Sequence, residues 1–156
     1  MNDTYFLRKA IHLALNGVRS GVGGPFGAVI VKNGKTIAEA CNRVTTDHDP
    51  TAHAEIVAIR QACARLEHHQ LEGCTIYASC EPCPMCLGAI LWARPNRLVF
   101  ACSRDDAASA GFDDAFIYQQ IALAPAAREM PTRQLLAAEG RAAMREWLAF
   151  DQRREY

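Results

Sequence analysis

The stretch Thr75–Trp92, TIYASCEPCPMCLGAILW, runs from a strand into a helix through a cluster of cysteines, and its reading decides the fold. Thr75-Ile76-Tyr77-Ala78 reads as a buried strand, an apolar and β-branched run bounded by polar residues. Pro84 suits the first turn of a helix running to about Trp92, because the N–H that proline lacks has no intrahelical partner there. Cys83 at the helix entrance and Cys86 one turn later then face the same way. Helix N-termini favour thiolate over thiol, since the backbone dipoles stabilise negative charge.

Upstream, Asp49-Pro50-Thr51 predicts another helix start, with Asp49 accepting from free backbone N–H groups. His53 and Glu55 would lie early on this helix, which continues through Ile56, Val57, Ile59, Ala62, Cys63 and Leu66 at helical spacing. The two helix entrances bring together one imidazole, two thiolates and a carboxylate. His53, Cys83 and Cys86 suit Zn²⁺, and three protein ligands leave a fourth position for water, whose acidity rises on coordination. Glu55, two residues from the histidine, is better placed to carry a proton than to bind the metal. An alternative stays open, in which Cys80 completes a closed site of three cysteines and one histidine. Such a site would be structural, and the chain a zinc-stabilised binding module without catalysis.

The rest of the chain supplies a sheet and its cover. Phe6, Leu7, Ile11, Ala14, Leu15 and Val18 recur at helix spacing, and Gly21-Val22-Gly23-Gly24-Pro25 breaks that helix. Phe26 to Val31 reads as a strand, Asn33-Gly34 as a hairpin turn, and Thr36 to Asn42 as its partner strand. Leu98 to Cys102 makes a fourth strand, and a fifth is expected around Arg133 to Leu136, before a helical pattern from Glu139 to Tyr156. The expected fold is α/β, three layers, with a mixed five-stranded sheet sandwiched by helices.

On His53-Ala54-Glu55 and Cys80-Glu81-Pro82-Cys83-Pro84-Met85-Cys86, the sequence resembles the cytidine deaminase superfamily, whose members acting on nucleobases carry this signature. Within it, the chain is similar to the short bacterial guanine deaminases. That closer likeness rests on Gly23 to Ile30, Asn42, Asp49-Pro50-Thr51-Ala52, Trp92-Ala93-Arg94-Pro95, Ala110 to Tyr118 and the terminal Glu155-Tyr156. The resemblance implies a single zinc-dependent deaminase domain over residues 1–156. It implies zinc on His53, Cys83 and Cys86, proton transfer by Glu55 with help from Asp114, and substrate contacts from Phe26, Asn42, Ala54, Asp114 and Tyr156. The implied reaction is hydrolysis of guanine to xanthine and ammonia, with guanosine, ammeline or another nucleobase as alternative substrates. A homodimer is implied too, in which the segment from about 139 to 156 crosses to the partner and Tyr156 closes the neighbouring pocket.

Each substrate residue has a plainer role open to it. Asn42 could form a turn, Phe26 could fill the core, Asp113 and Asp114 could cap a helix over Ala115 to Gln120, and a terminal Tyr156 could fray. Chemistry favours a carboxylate for guanine, which presents N–H donors on its Watson–Crick edge where adenine presents a ring acceptor.

Composition narrows the class. The 156 residues suit one domain, and no apolar run is long enough to cross a bilayer. Met1-Asn2-Asp3-Thr4 lacks the regions of a secretory signal, and seven cysteines around a CxxC suit a reducing compartment, so the cytoplasm is expected. Cys41, Cys63, Cys74 and Cys102 sit among apolar residues and are expected to be small core side chains. Lys plus Arg equals Asp plus Glu, at 17 each, which fits a small purine substrate and argues against a nucleic-acid partner. There is no internal repeat or low-complexity tract.

Overall fold

The computed structural model describes residues 2–155. Along them run α1 (Asp3–Arg19), β1 (Gly27–Lys32), β2 (Lys35–Cys41), α2 (Val44–Asp47), α3 (Ala54–Leu66), β3 (Cys74–Cys80), α4 (Pro84–Ala93), β4 (Arg97–Cys102), α5 (Arg104–Ser109), α6 (Ala115–Ala122), a 3-10 turn (Pro125–Ala127) and α7 (Ala137–Ala149). The backbone forms two compact units, Met1–Asp114 and Ala115–Tyr156.

The first unit is built on a sheet of order β2-β1-β3-β4. β1 pairs antiparallel with both β2 and β3, whereas β3 and β4 are parallel, so the chain must cross over between them, and α4 makes that crossover. The β1–β2 hairpin closes at Asn33 (φ 51°) and Gly34 (φ 75°), the left-handed pair that a two-residue turn needs to match strand twist.

β1 reads GAVIV because both faces of the sheet are covered. Ala28 and Ile30 face one layer with Ala54, Ala58 and Ala62 of α3 and Ile90 and Ala93 of α4. Val29 and Val31 face the other with Phe6 and Ala10 of α1 and Tyr77 of β3. Full burial of side chains such as Ile30 and Ile76 contributes about 1.5–3 kcal/mol each. Alanines on the inner face of α3 let that helix lie close to the sheet. Tyr77 Oη donates to Asp3 Oδ1 and Arg97 donates to Asp3 Oδ2, both at 2.7 Å, tying the start of α1 to β3 and β4.

Four expectations need correction. The sheet has four strands among the described residues, not five. Residues 133–136 form no strand, and Leu136 turns into the left-handed region (φ 53°) to start α7, with Leu135 and Leu136 both exposed. α7 ends at Ala149, well short of the expected helix end. Asp49-Pro50-Thr51 does not start the helix either. Asp49 Oδ1 takes the N–H and hydroxyl of Thr51 at 2.8 and 2.7 Å, closing a local turn, and α3 begins only at Ala54. Cys102 is exposed on edge strand β4, not in the core.

In the second unit, Phe116, Ile117, Gln120, Ile121, Arg128 and Met130 line an open apolar groove of about 340 Å³. No helix among the described residues is long and apolar enough to cross a membrane.

Candidate metal centre and active site

Two helix N-termini make the centre. His53 is the N-cap of α3 and Cys83 the N-cap of α4, both with extended backbone (ψ 152° and 168°), and neither spends its side chain on capping. A serine or aspartate would turn its oxygen onto the helix N–H groups at such a position. An imidazole and a thiol instead remain free to face each other. Pro84 then fixes the first turn of α4 and sets Cys86 three residues after Cys83.

Cys83 Sγ and Cys86 Sγ each lie 3.5 Å from His53 Nδ1, and the three ligand atoms fall within 4.8 Å of one another. Tetrahedral zinc, with Zn–S of about 2.3 Å and Zn–N of about 2.0–2.1 Å, sets sulfur and nitrogen ligands about 3.5 Å apart, so this donor set fits the ion. Its charge fits as well. The hydrogen bond from the Cys86 thiol, ahead of that from His53, pulls Cys83 down to about 4. That same bond, with burial, pushes Cys86 up, and the bond to Cys83 raises His53. The lowered value at Cys83 favours the thiolate form that a cation would bind.

Cys80 stands apart from this group. Its thiol lies 3.5 Å from the Ser103 carbonyl oxygen, and burial pushes its pKa up to about 11. Among the described residues the ligand cluster contains His53, Cys83 and Cys86 without it.

Glu55, the second residue of α3, is 7% exposed. Burial raises its pKa, which suits a group that must both take and give a proton. Ala54 is wholly buried, its methyl in the core. It can therefore offer a ligand only backbone, and its N–H lies in the first helical turn, where such groups lack intrahelical acceptors.

Beside the centre, Arg43 N–H donates to Ala52 O at 2.9 Å, clipping the exit of β2 to the segment that leads into His53. Asn42 is 6% exposed, and its Oδ1 accepts from Gly24 N–H (3.3 Å) and Val44 N–H (3.2 Å). Its carbonyl thus serves the local turn, while its amide nitrogen makes no hydrogen bond among the described residues. Phe26 packs against the core cluster and meets Phe112 edge-on, with centroids 4.9 Å apart. Asp114 is half-buried, with Arg104 Nη2 at 3.8 Å, and Arg104 N–H donates to Glu81 Oε2 at 3.1 Å, two residues before Cys83. Asp113 is exposed. Tyr156 lies outside the described residues.

Glu81 and Phe112 lie in quoted motifs but were given no role by the sequence, and Arg104 was not singled out at all. The start of α5 was legible in principle, since Ser103 and Asp106 form a capping box, but nothing local links Arg104 to Asp114.

Residues 1–102 match the family described as the cytidine and deoxycytidylate deaminase zinc-binding region. The chain belongs to that family. Among deaminases, it is 53% identical to guanine deaminase of Bacillus subtilis over 156 residues, all of both chains. The X-ray structure of guanine deaminase from Bacillus subtilis matches with a TM-score of 0.97 at 52% identity, over 100% of this chain and 99% of that one. The tRNA-specific adenosine deaminase of Aquifex aeolicus is 44% identical over 101 residues, 65% of this chain and 66% of that one. His53, Glu55, Cys83 and Cys86 all fall within the deaminase zinc-binding region, whereas Asp114 lies beyond it.

Proposed function

We propose that this chain is a zinc-dependent guanine deaminase, hydrolysing guanine to xanthine and ammonia in purine catabolism or salvage. The observation that carries the reading is the full-length likeness to guanine deaminase, which continues past the zinc-binding region through Asp114 to the end of the chain. Likeness to the tRNA adenosine deaminase spans only 101 residues.

His53, Cys83 and Cys86 would hold zinc, which when bound would supply Lewis acidity that brings the pKa of a water near neutrality. With zinc bound, Glu55 would take one proton from the attacking water and pass it to the ring nitrogen beside the purine C2 carbon as the C2–O bond forms, then take the second proton from the added hydroxyl and give it to the leaving amine as the C2–N bond breaks. Water is consumed and ammonia released, with no other reactant. The raised pKa of Glu55 favours this double duty. Asp114 accepts from the Watson–Crick N–H groups of guanine and assists the departing amine, and Arg104 beside it supports its charge. Asn42 donates to the base through its amide nitrogen, the Ala54 N–H is a further donor, and Phe26 stacks on the ring, braced by Phe112.

The single deaminase domain acts as a homodimer, with the segment from about 139 to 156 crossing to the partner and Tyr156 closing the neighbouring pocket. The second unit supports this: Phe116, Ile121, Met144, Leu148 and Phe150 are all exposed there, apolar side chains that a partner's surface would cover. The enzyme works in the cytoplasm, in keeping with seven free cysteines.

Ammonia release measured in parallel on guanine, guanosine, ammeline, adenine and cytidine tests the substrate. Guanine is expected to be the preferred substrate by a wide margin. Preference for guanosine would sink the covered free-base pocket, and preference for adenine the role of Asp114.

A further inference from the structure

Between α1 and β1 the chain passes Gly23 so close to Asn42 that no side chain fits. A Cβ on Gly23 would lie 2.1 Å from the Asn42 carbonyl oxygen, 2.7 Å from its carbonyl carbon and 2.8 Å from Oδ1. The first two are backbone atoms, which cannot swing aside as a flexible side chain would. The neighbouring glycines differ. Gly21 has open space around it, and a Cβ on Gly24 would find ordinary contact at 3.4 Å or more. Gly23 is also not among the residues with positive φ, so close approach, not backbone freedom, calls for glycine here.

Nor can the loop retreat. Val22 O accepts from the Thr46 hydroxyl at 2.6 Å and the Thr45 hydroxyl at 3.4 Å, and Val22 N–H donates to Gly17 O at 2.9 Å. On the far side, Gly24 N–H donates to Asn42 Oδ1, and Asn42 N–H to Phe26 O at 2.9 Å. Gly23 is pinned between these anchors, directly over the Asn42 backbone.

The consequence lies in the carboxamide. Gly24 and Val44 both offer N–H groups to Asn42 Oδ1, so turning the amide over would set donor against donor twice. Nδ2 is therefore directed away from the loop; it makes no hydrogen bond among the described residues, yet it is not among the fully buried polar atoms without a partner, so it is open to a ligand. Residue 42 can present donors to a ligand and nothing else.

We propose that Gly23 is a positioning residue for base recognition: by letting the loop lie flat on Asn42, it holds the carboxamide with its donor outward. The pocket then selects a base that presents an acceptor at this edge, a carbonyl oxygen or an unprotonated ring nitrogen. This rests on the reading of the pocket as a guanine site.

The test is a double-mutant cycle on guanine affinity, measured by calorimetry in the zinc-loaded Glu55→Gln protein, which separates binding from turnover. Gly23→Ala is expected to weaken binding about tenfold or more, the loss typical of a misplaced buried hydrogen bond. Added to Asn42→Ala, the same change is expected to cost no more than about twofold, because the group it acts through is gone. Equal losses in both backgrounds, or no loss in either, would overturn the proposal. Should Gly23→Ala fail to hold zinc, Asn42→Asp carries the test. Its carboxylate keeps the Gly24 and Val44 bonds but turns an acceptor to the base, so it is expected to bind guanine more weakly than Asn42→Ala does, and parental affinity would refute donor-only presentation. If the parent binds no guanine and the wild-type enzyme releases no ammonia, the substrate reading fails. The positioning claim is then decided by the crystal structure of Gly23→Ala, where an unmoved Asn42 carboxamide would overturn it.

Discussion

Replacing Cys80 and Cys83 by alanine, one at a time, separates an open zinc site from a closed one. Cys80 is 6% exposed, and its thiol lies 3.5 Å from the Ser103 carbonyl oxygen, away from the ligand cluster. Cys80→Ala removes one buried atom about the size of a methylene, so the transfer and cavity costs together come to about 1–2 kcal/mol. In a domain of this size that lowers the melting temperature by about 2–8 °C. Zinc should stay, because no ligand has been lost. Cys83→Ala behaves differently. If zinc binding of about 10–16 kcal/mol is shared over three or four ligands, one thiolate contributes about 3–5 kcal/mol, a loss of roughly 10²–10⁴-fold in affinity. The assay is zinc per chain by mass spectrometry after dialysis against a chelating buffer, with a thermal melt alongside. Retention in Cys80→Ala and loss in Cys83→Ala are expected. Equal loss of zinc from both would refute the three-ligand assignment and revive the structural site.

Other parts of the structure make expectations of their own. Asp114→Asn places an amide where guanine N–H groups seek an acceptor, and kcat/KM for guanine should fall about 10–100-fold with zinc content unchanged; wild-type kinetics would remove Asp114 from the pocket. Ser79 Oγ accepts the buried Gly27 N–H at 2.9 Å, so Ser79→Ala should cost about 1–3 kcal/mol, and an unchanged melting temperature would contradict that bond. The Arg97 and Tyr77 hydrogen bonds hold the Asp3 carboxyl below its ordinary 3.8. A depressed folded-state value means that the stabilisation is fully present above 3.8 and is lost as pH falls through the folded value. The stability difference between wild type and Asp3→Asn should therefore shrink on acidification below that point. A difference that stayed constant with pH, measured by chemical denaturation, would argue against the network.

The metal centre was legible because its parts are local. His53 with Glu55, and Cys83 with Cys86, sit within a turn of each other, and Pro84 marks the helix start that aims the cysteines. The four strands were legible for a related reason, since a sheet covered on both faces requires continuous apolar runs such as Gly27 to Val31. The misses occur where a local signal has two physical outcomes. Asp49 can cap a helix or close a turn on Thr51, and here it closes the turn while α3 begins only at Ala54. The run at 133–136 has apolar residues but no neighbouring strand to pair with among the described residues, and Pro131 withholds a donor just before it. Contacts distant in sequence left no trace at all. The Arg104–Asp114 pair and the press of Gly23 on Asn42 join segments that only the folded backbone brings together.

The most direct test of the account is to follow guanine loss, xanthine formation and ammonia release together, in the zinc-loaded wild type and in Glu55→Gln. One xanthine and one ammonia per guanine in the wild type are expected, with turnover abolished in the variant while its zinc content stays the same. Normal turnover by Glu55→Gln would contradict the role of Glu55. A wild-type protein that holds zinc yet leaves guanine untouched would contradict the proposed function itself.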